Sequence, residues 1–330
     1  MLFSKKINFK IIFKYMICFV YILFSFANTY EINIKNTEEE LDQLFCKNKY
    51  YGYKETNLYF DEEIYMIPDK GQNKINLLSN IHFIGKNGTV FDFNKKDYSG
   101  IEFTFEGKGE GLFFENITFR NFLTSPIELL FAMIFIISSD SNDYRVNFKN
   151  CTFENNNMFI LSRFKAKKKT KEIDNIVFDN CIFRNNTDRL LKSYHEDKEI
   201  QTSYNNIKFD NCIFTGTIGS TYIDSGIIKY NNCHFINISD SLNTYFRYES
   251  LILTSVQKEN EIYFSNCIFQ NIFLNGTRPY FFINFSKSLF VGNTFKNCHS
   301  EIGYIINAYY IDKYNKLTFD GLTVIGILKI

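Results

Sequence analysis

The 330-residue sequence has no tryptophan, only three prolines and four histidines, and its 37 basic and 36 acidic side chains leave a formal net charge of +1. Near-balance of charge removes the bulk attraction that a nucleic-acid partner needs, so no nucleic acid is expected. Scarce proline beside 38 Phe and 22 Tyr argues against disorder and for strands. No two cysteines are separated by two residues, so the close ligand pairs of tetrahedral zinc sites are missing, and neither a metal nor a cofactor is expected. Long apolar runs are lacking too. The run from Tyr15 to Phe24 and the one from Leu129 to Ile137 both fall short of the roughly 20 residues of a membrane span. The second reads as a buried strand or helix.

The first run does have a recognisable layout. Lys5, Lys6, Lys10 and Lys14 precede it and Ser25-Phe26-Ala27 follow it, which is the pattern of a secretory signal peptide over residues 1–27, with cleavage near Ala27. If the segment stays uncleaved it becomes a signal anchor, the only membrane contact the sequence suggests. The mature chain is then expected to be secreted or on the cell surface.

What the sequence does have is a repeat. Phe209-Asp210-Asn211-Cys212-Ile213-Phe214-Thr215-Gly216 returns in nine variants, spaced 21 to 36 residues apart. Their first small polar residues are Asn80, Asn116, Asn150, Asn180, Asn211, Asn232, Asn266, Gly292 and Gly321. Their second are Gly85, Asn121, Asn155, Asn185, Gly216, Asn237, Asn271, Asn297 and Gly326. Phe209 and Phe214 are an odd number of residues apart, so they cannot share one face of a straight strand, and the chain must bend between them. Asn and Gly accept the left-handed backbone that such a bend requires. Strand, corner, strand, corner, repeated, gives a coil whose turns stack as parallel strands about 4.8 Å apart. Asn side chains at successive corners are expected to face inward and hydrogen-bond along the stack as a ladder. Intervals longer than 21 residues imply surface excursions, best placed at Lys165 to Lys171 and Tyr194 to Ser203.

Ahead of the repeats, Thr37 and Glu40 form a capping box for a helix with Leu41, Leu44 and Phe45 on one face. The expected division is therefore a signal peptide at 1–27, an N-terminal cap at 28–74 and repeats over 75–330.

These residues resemble the right-handed parallel β-helix proteins of the pectin-lyase-like superfamily. The likeness rests on the opening strand, the helix from Thr37 to Cys46, the run Asn80-Ile81-His82-Phe83-Ile84-Gly85 leading to Gly88-Thr89-Val90-Phe91-Asp92, and the Asn-rich copies that follow. It implies an all-β right-handed parallel β-helix of about nine coils, its open end plugged by a short α-helix. It does not imply an activity, because the fold carries lyases, hydrolases, adhesins and inert spikes. Of the calcium-binding Asp clusters and the Asn-Thr-Asp, Asp-Asp, Gly-His-Gly and Arg-x-Lys motifs of its enzymes, only Arg163-Phe164-Lys165 matches.

Candidate sites follow from the repeat. Cys151, Cys181, Cys212, Cys233 and Cys267 share a slot held elsewhere by Ile81, Ile117, Asn293 and Leu322, which favours a core stack of free thiols over disulfides. Asp179 and Asp210 share an outward position with Glu115, Lys149, Asn231 and Ser265, a solvated stripe or else a carboxylate pair. A second outward stripe contains Thr118, Thr152, Ile182, Ile213, His234 and Ile268, with His82, Thr294 and Thr323 as further members. Its apolar centre is either covered by an excursion or serves as a binding surface. His195 is expected in a loop and His299 in a turn. Of seven glycosylation sequons, those at Asn116, Asn150, Asn185 and Asn237 fall on the ladder, which leaves Asn87, Asn275 and Asn284, with Asn275 the most turn-like.

The functional expectation is a non-catalytic structural, adhesive or glycan-binding protein, with extracellular polysaccharide or cell-surface glycans as partners. The alternative is a diverged polysaccharide lyase or glycoside hydrolase. Self-assembly is a further expectation, because Ile330 lies four residues past the ninth copy and no amphipathic helix follows to close that end.

Overall fold

The computed structural model describes residues 29–45, 55–69, 73–96, 99–105, 109–123, 132–138, 143–157, 160–164, 173–187, 189–195, 206–216, 220–223, 226–239, 252–254, 260–274, 281–284, 286–300, 306–309 and 317–326. The expected signal segment, the Lys165 to Lys171 excursion and the Asn275 sequon lie outside them.

Every strand pairing is parallel, and the strands fall into three stacks that run the length of a β-solenoid. The first stack precedes the first corner of each copy. It runs from β1 (Thr29–Ile34) and β2 (Glu55–Phe60) through β5 (Asn80–Asp92) and β7 (Gly111–Arg120). It continues through β9 (Arg145–Lys149), β12 (Ile176–Asp179), β15 (Asn206–Asp210), β18 (Ile227–Asn231), β21 (Asn260–Ser265) and β24 (Ser286–Val291) to β27 (Leu317–Asp320). The second stack, between the two corners, contains β10 (Thr152–Glu154), β13 (Ile182–Arg184), β16 (Ile213–Gly216), β19 (His234–Ser239), β22 (Ile268–Leu274), β25 (Thr294–Ser300) and β28 (Thr323–Ile325). Strand β3 (Ile64–Met66) lies against the later half of β5, and a separate sheet of nine described strands forms the third side: β4 (Asn73–Leu77), β6 (Ile101–Phe105), β8 (Ile134–Ser138), β11 (Ile160–Phe164), β14 (Arg189–His195), β17 (Ser220–Ile223), β20 (Ile252–Thr254), β23 (Phe281–Asn284) and β26 (Ile306–Tyr309).

The corners account for this geometry. Asn116, Asn150, Asn180, Asn211, Asn232 and Asn266 have φ between 52° and 59°, and the second corners Asn121, Asn155, Asn185, Asn237, Asn271 and Asn297 have φ between 51° and 62°. The parity change between Phe209 and Phe214 is therefore made at Asn211, and both rings enter the core. Phe114, Phe148, Phe178, Phe209, Tyr230, Phe264 and Phe290 stack with ring centroids 4.6 to 4.9 Å apart. A second pile runs through Phe119, Phe153, Phe183, Phe214, Phe235, Phe269 and Phe295 at 4.5 to 5.0 Å. From Phe114–Phe119 to Phe264–Phe269 each ring meets its own copy's partner edge-on, as Phe209 does Phe214 at 5.5 Å. Rung spacing sets the centroid distance and favours stacked rings along the axis.

The Asn-cornered, regular part amounts to about six turns instead of nine. The first copy is out of register. Phe83 pairs with Phe114, and Thr89, not Ile81, pairs with Ile117, because the extra residues around Lys86 to Gly88 displace the corner. Asn80 is thus no ladder member; its Oδ1 instead accepts a hydrogen bond from the Gly111 N–H at 2.8 Å. His82 correspondingly belongs to the first stack, opposite Phe113, and Val90 takes the stripe position beside Thr118. At the other end the last copies turn on glycines, and Val324 is 39% exposed in the inward column.

Helix α1 (Glu38–Phe45) starts where Thr37 Oγ1 accepts a hydrogen bond from the Glu40 N–H at 3.3 Å. It buries Leu41, Leu44 and Phe45, and Phe45 lies against Phe83 and Phe91 at 6.4 Å. Strand β1 pairs with β2 and β2 with β5, so parallel rungs of the solenoid already run ahead of residue 75. His195 ends a strand (Arg189–His195) and is not in a loop; His299 lies in β25 and not in a turn.

Candidate functional site

The outward stripe is one continuous column. Thr118 pairs with Thr152, Thr152 with Ile182, Ile182 with Ile213, Ile213 with His234 and His234 with Ile268, one residue per rung, and Thr294 and Thr323 extend the line. Each of the six from Thr118 to Ile268 stands between the buried Cys or Ile of its slot and the buried Phe of its copy, so strand alternation turns it outward. Ile213 is exposed and the other five are half-buried.

Two residues further along each strand runs a column that the sequence reading missed: Asp92, Arg120, Glu154, Arg184, Thr215, Ile236, Gln270 and Lys296. Its charges alternate and neutralise one another. Arg120 Nε donates to Asp92 Oδ2 at 2.8 Å and Arg184 Nε to Glu154 Oε2 at 2.6 Å. Burial works against ionisation of Asp92, but hydrogen bonds from Arg120, the Asn94 N–H and Asn121 outweigh it and hold its carboxyl below the ordinary value. The signal was present in the sequence as the third residue after each first corner's Ile or Cys.

Asp179 and Asp210 are register partners, as their repeat positions require, in a column with Glu115, Lys149, Asn231 and Ser265. Its charges find cationic partners: Lys149 of the same column donates through Nζ to Glu115 at 2.9 Å, and Lys208, two residues before Asp210 on its strand, donates to Asp210 at 2.7 Å. Among the described residues no group of three or more His, Cys, Asp or Glu side chains converges as a metal site. Near the helix-capped end, His82 stacks on Phe113 at 4.3 Å with its Nε2 3.2 Å from Glu55 Oε1. Burial lowers the pKa of His82 despite Glu55 and Glu115 nearby.

The cysteine slot is core. Cys151, Cys181, Cys212, Cys233 and Cys267 are buried and free, as is Cys298. The first five each donate an S–H bond to the carbonyl of the aromatic residue one rung earlier, at 3.3 to 3.6 Å. Asn293 takes the slot by the same logic, its Nδ2 donating to the Phe264 carbonyl at 3.0 Å and its Oδ1 accepting from the Cys267 N–H at 2.8 Å.

The corner ladder exists but faces outward. Asn150, Asn180, Asn211, Asn232 and Asn266 are exposed and Asn116 is half-buried, contrary to the inward ladder expected. A left-handed residue at a convex bend points its side chain away from the coil interior. The buried amides include the neighbours Asn156 and Asn186, Asn175 and Asn206 at the start of the first stack's strands, and Asn73 and Asn293. Apart from Asn293 in the Cys slot, nothing in the repeat's spacing singled these out.

These features define a parallel β-helix repeat protein. No protein-family model matches the chain, and no curated protein matches it. Among solved structures, the A-module of mannuronan C-5 epimerase AlgE6 from Azotobacter vinelandii is similar over 89% of this chain and 96% of that one, at 10% identity and a TM-score of 0.31. So slight a likeness has no bearing on activity, and the fold stands on the strand register itself. No described helix is long and apolar enough to cross a membrane.

Proposed function

We propose that the chain is a secreted or cell-surface, non-catalytic β-helix protein that binds an extended glycan along the column from Thr118 to Ile268. The observation that carries this reading is the unbroken outward line of hydroxyl, aliphatic and imidazole groups, one per rung. A polymer laid along the axis would meet equivalent contacts at every rung spacing, about 4.8 Å. The flanking Asp92–Arg120 and Glu154–Arg184 pairs neutralise the charge beside Thr118, Thr152 and Ile182, which suits a neutral polymer better than a strongly acidic one. Half-buried Ile182 and Ile268 around exposed Ile213 supply the apolar contact that sugar ring faces use. The test is the full chain on an array of plant, fungal and animal glycans. Binding that is lost in Ile213→Asp supports the reading, and an array without signal removes it.

A second reading, a polysaccharide lyase or glycoside hydrolase, is favoured by one observation, the register-paired Asp179 and Asp210. Incubation with pectic and other acidic polysaccharides, with and without calcium, decides it. New unsaturated or reducing ends support it, and their absence in both conditions eliminates it.

A further inference from the structure

We propose that Asn237 carries an N-linked glycan, an inference that rests on the secretory reading above. Asn237-Ile238-Ser239 is a sequon on a second corner, and the outward turn of the corners removes the reason for discounting it. Asn237 and Ser239 are exposed while Ile238 between them is buried at 2%, so the acceptor amide and the sequon hydroxyl both lie on the outside.

Ladder polarity separates this corner from the sequon at Asn150. In the corner pairs the side-chain nitrogen of the later residue donates to the oxygen of the earlier one: Asn150 to Asn116 at 3.2 Å, Asn232 to Asn211 at 3.4 Å, Asn271 to Asn237 at 3.0 Å and Asn297 to Asn271 at 3.2 Å. Each amide nitrogen therefore faces the preceding rung. At Asn150 it is engaged by Asn116, and Asn116 itself is only half exposed. At Asn185 the preceding second corner carries the side chain of Asn155. At Asn237 the preceding second corner is Gly216, which has no side chain, and the ladder is broken there. Among the described residues the Asn237 Nδ2 makes no hydrogen bond, while its Oδ1 is anchored by Asn271. The amide is held in place by its oxygen, on an exposed residue whose nitrogen is bonded to no described group.

The chemistry is transfer of an oligosaccharide from a lipid pyrophosphate donor. The Nδ2 to anomeric carbon bond forms, the bond from that carbon to the pyrophosphate oxygen breaks, lipid pyrophosphate leaves and Nδ2 gives up one proton. The N-glycoside keeps one N–H and its carbonyl oxygen, so the bond from Asn271 survives.

The experiment is translation of the full chain with glycosylation-competent microsomes. Protease protection reports entry into the lumen, and amidase release of glycans in heavy-oxygen water followed by mass spectrometry converts each occupied Asn to labelled Asp. The expected result is a protected chain labelled at 237, with Asn237→Gln and Ser239→Ala each losing one glycan's gel shift and Asn150→Gln keeping it. A protected chain with unlabelled Asn237 overturns the inference and leaves the secretory reading standing. A chain open to protease overturns both.

Discussion

Asn186 accepts, through one side-chain oxygen, hydrogen bonds from both the backbone nitrogen and the side-chain nitrogen of Asn156 on the preceding rung, each at 3.2 Å. Its own Nδ2 donates to the Phe153 carbonyl at 2.8 Å, and Asn156 does the same to Phe119 at 3.1 Å. This pair, like Asn175 and Asn206 and unlike the exposed corner ladder, is a buried amide stack. Asn186→Ala orphans the buried Asn156 N–H and takes the side-chain donor from the Phe153 carbonyl, while Asn156 Nδ2 keeps only its bond to Phe119. An orphaned buried polar group costs about 1–3 kcal/mol, so the variant should lose at least about 2 kcal/mol in a urea titration. A loss no larger than that of Asn150→Ala at the surface would contradict the assignment.

Ile213 is 38% exposed at the centre of the outward column, so its replacement separates binding from folding. Ile213→Asp should cost less than about 1 kcal/mol of stability. Glycan affinity should drop at least about tenfold, equivalent to ~1.4 kcal/mol, in isothermal titration with the best array ligand. Unchanged affinity would place the ligand on another face.

Asp92 sets an acid limit. Its folded carboxyl titrates below the ordinary value of 3.8, so its contribution is present above that value and is lost as the pH falls through the lower folded one. Urea midpoints of the wild type should therefore decline below about pH 4, and Asp92→Asn should flatten that decline while lowering stability at pH 7. Parallel curves for the two proteins would show that Asp92 is not the group responsible.

Cys298 sets an alkaline one. Burial pushes its thiol from 9.0 up to about 11. The unfolded chain ionises first, so the stability from this group is complete below about pH 9 and is lost as the pH rises towards 11. The difference in urea midpoint between wild type and Cys298→Val should therefore change across that window, and a constant difference would refute the link. Native thiols at all six core positions should also resist iodoacetamide at pH 8 and react once guanidinium unfolds the chain.

The sequence by itself determined the coil. The five-residue spacing of Phe209 and Phe214 forces a bend, and Asn211 and Gly216 supply residues that tolerate it, so parity and local sterics suffice without any tertiary information. The same parity placed Thr118, Thr152, Ile182, Ile213, His234 and Ile268 in one outward line, and Thr37 announced the capping helix. Tertiary structure alone decided which way the corners point, because an Asn in a left-handed turn has the same local conformation whether its amide meets solvent or core. It decided the first copy too: whether Asn80 or the run around Lys86 to Gly88 is the corner depends on which rung Phe83 stacks against, and Phe114 takes it. The break opposite Asn237 is likewise visible only when rungs far apart in sequence are laid one upon another, since a ladder bond joins residues that no local rule relates.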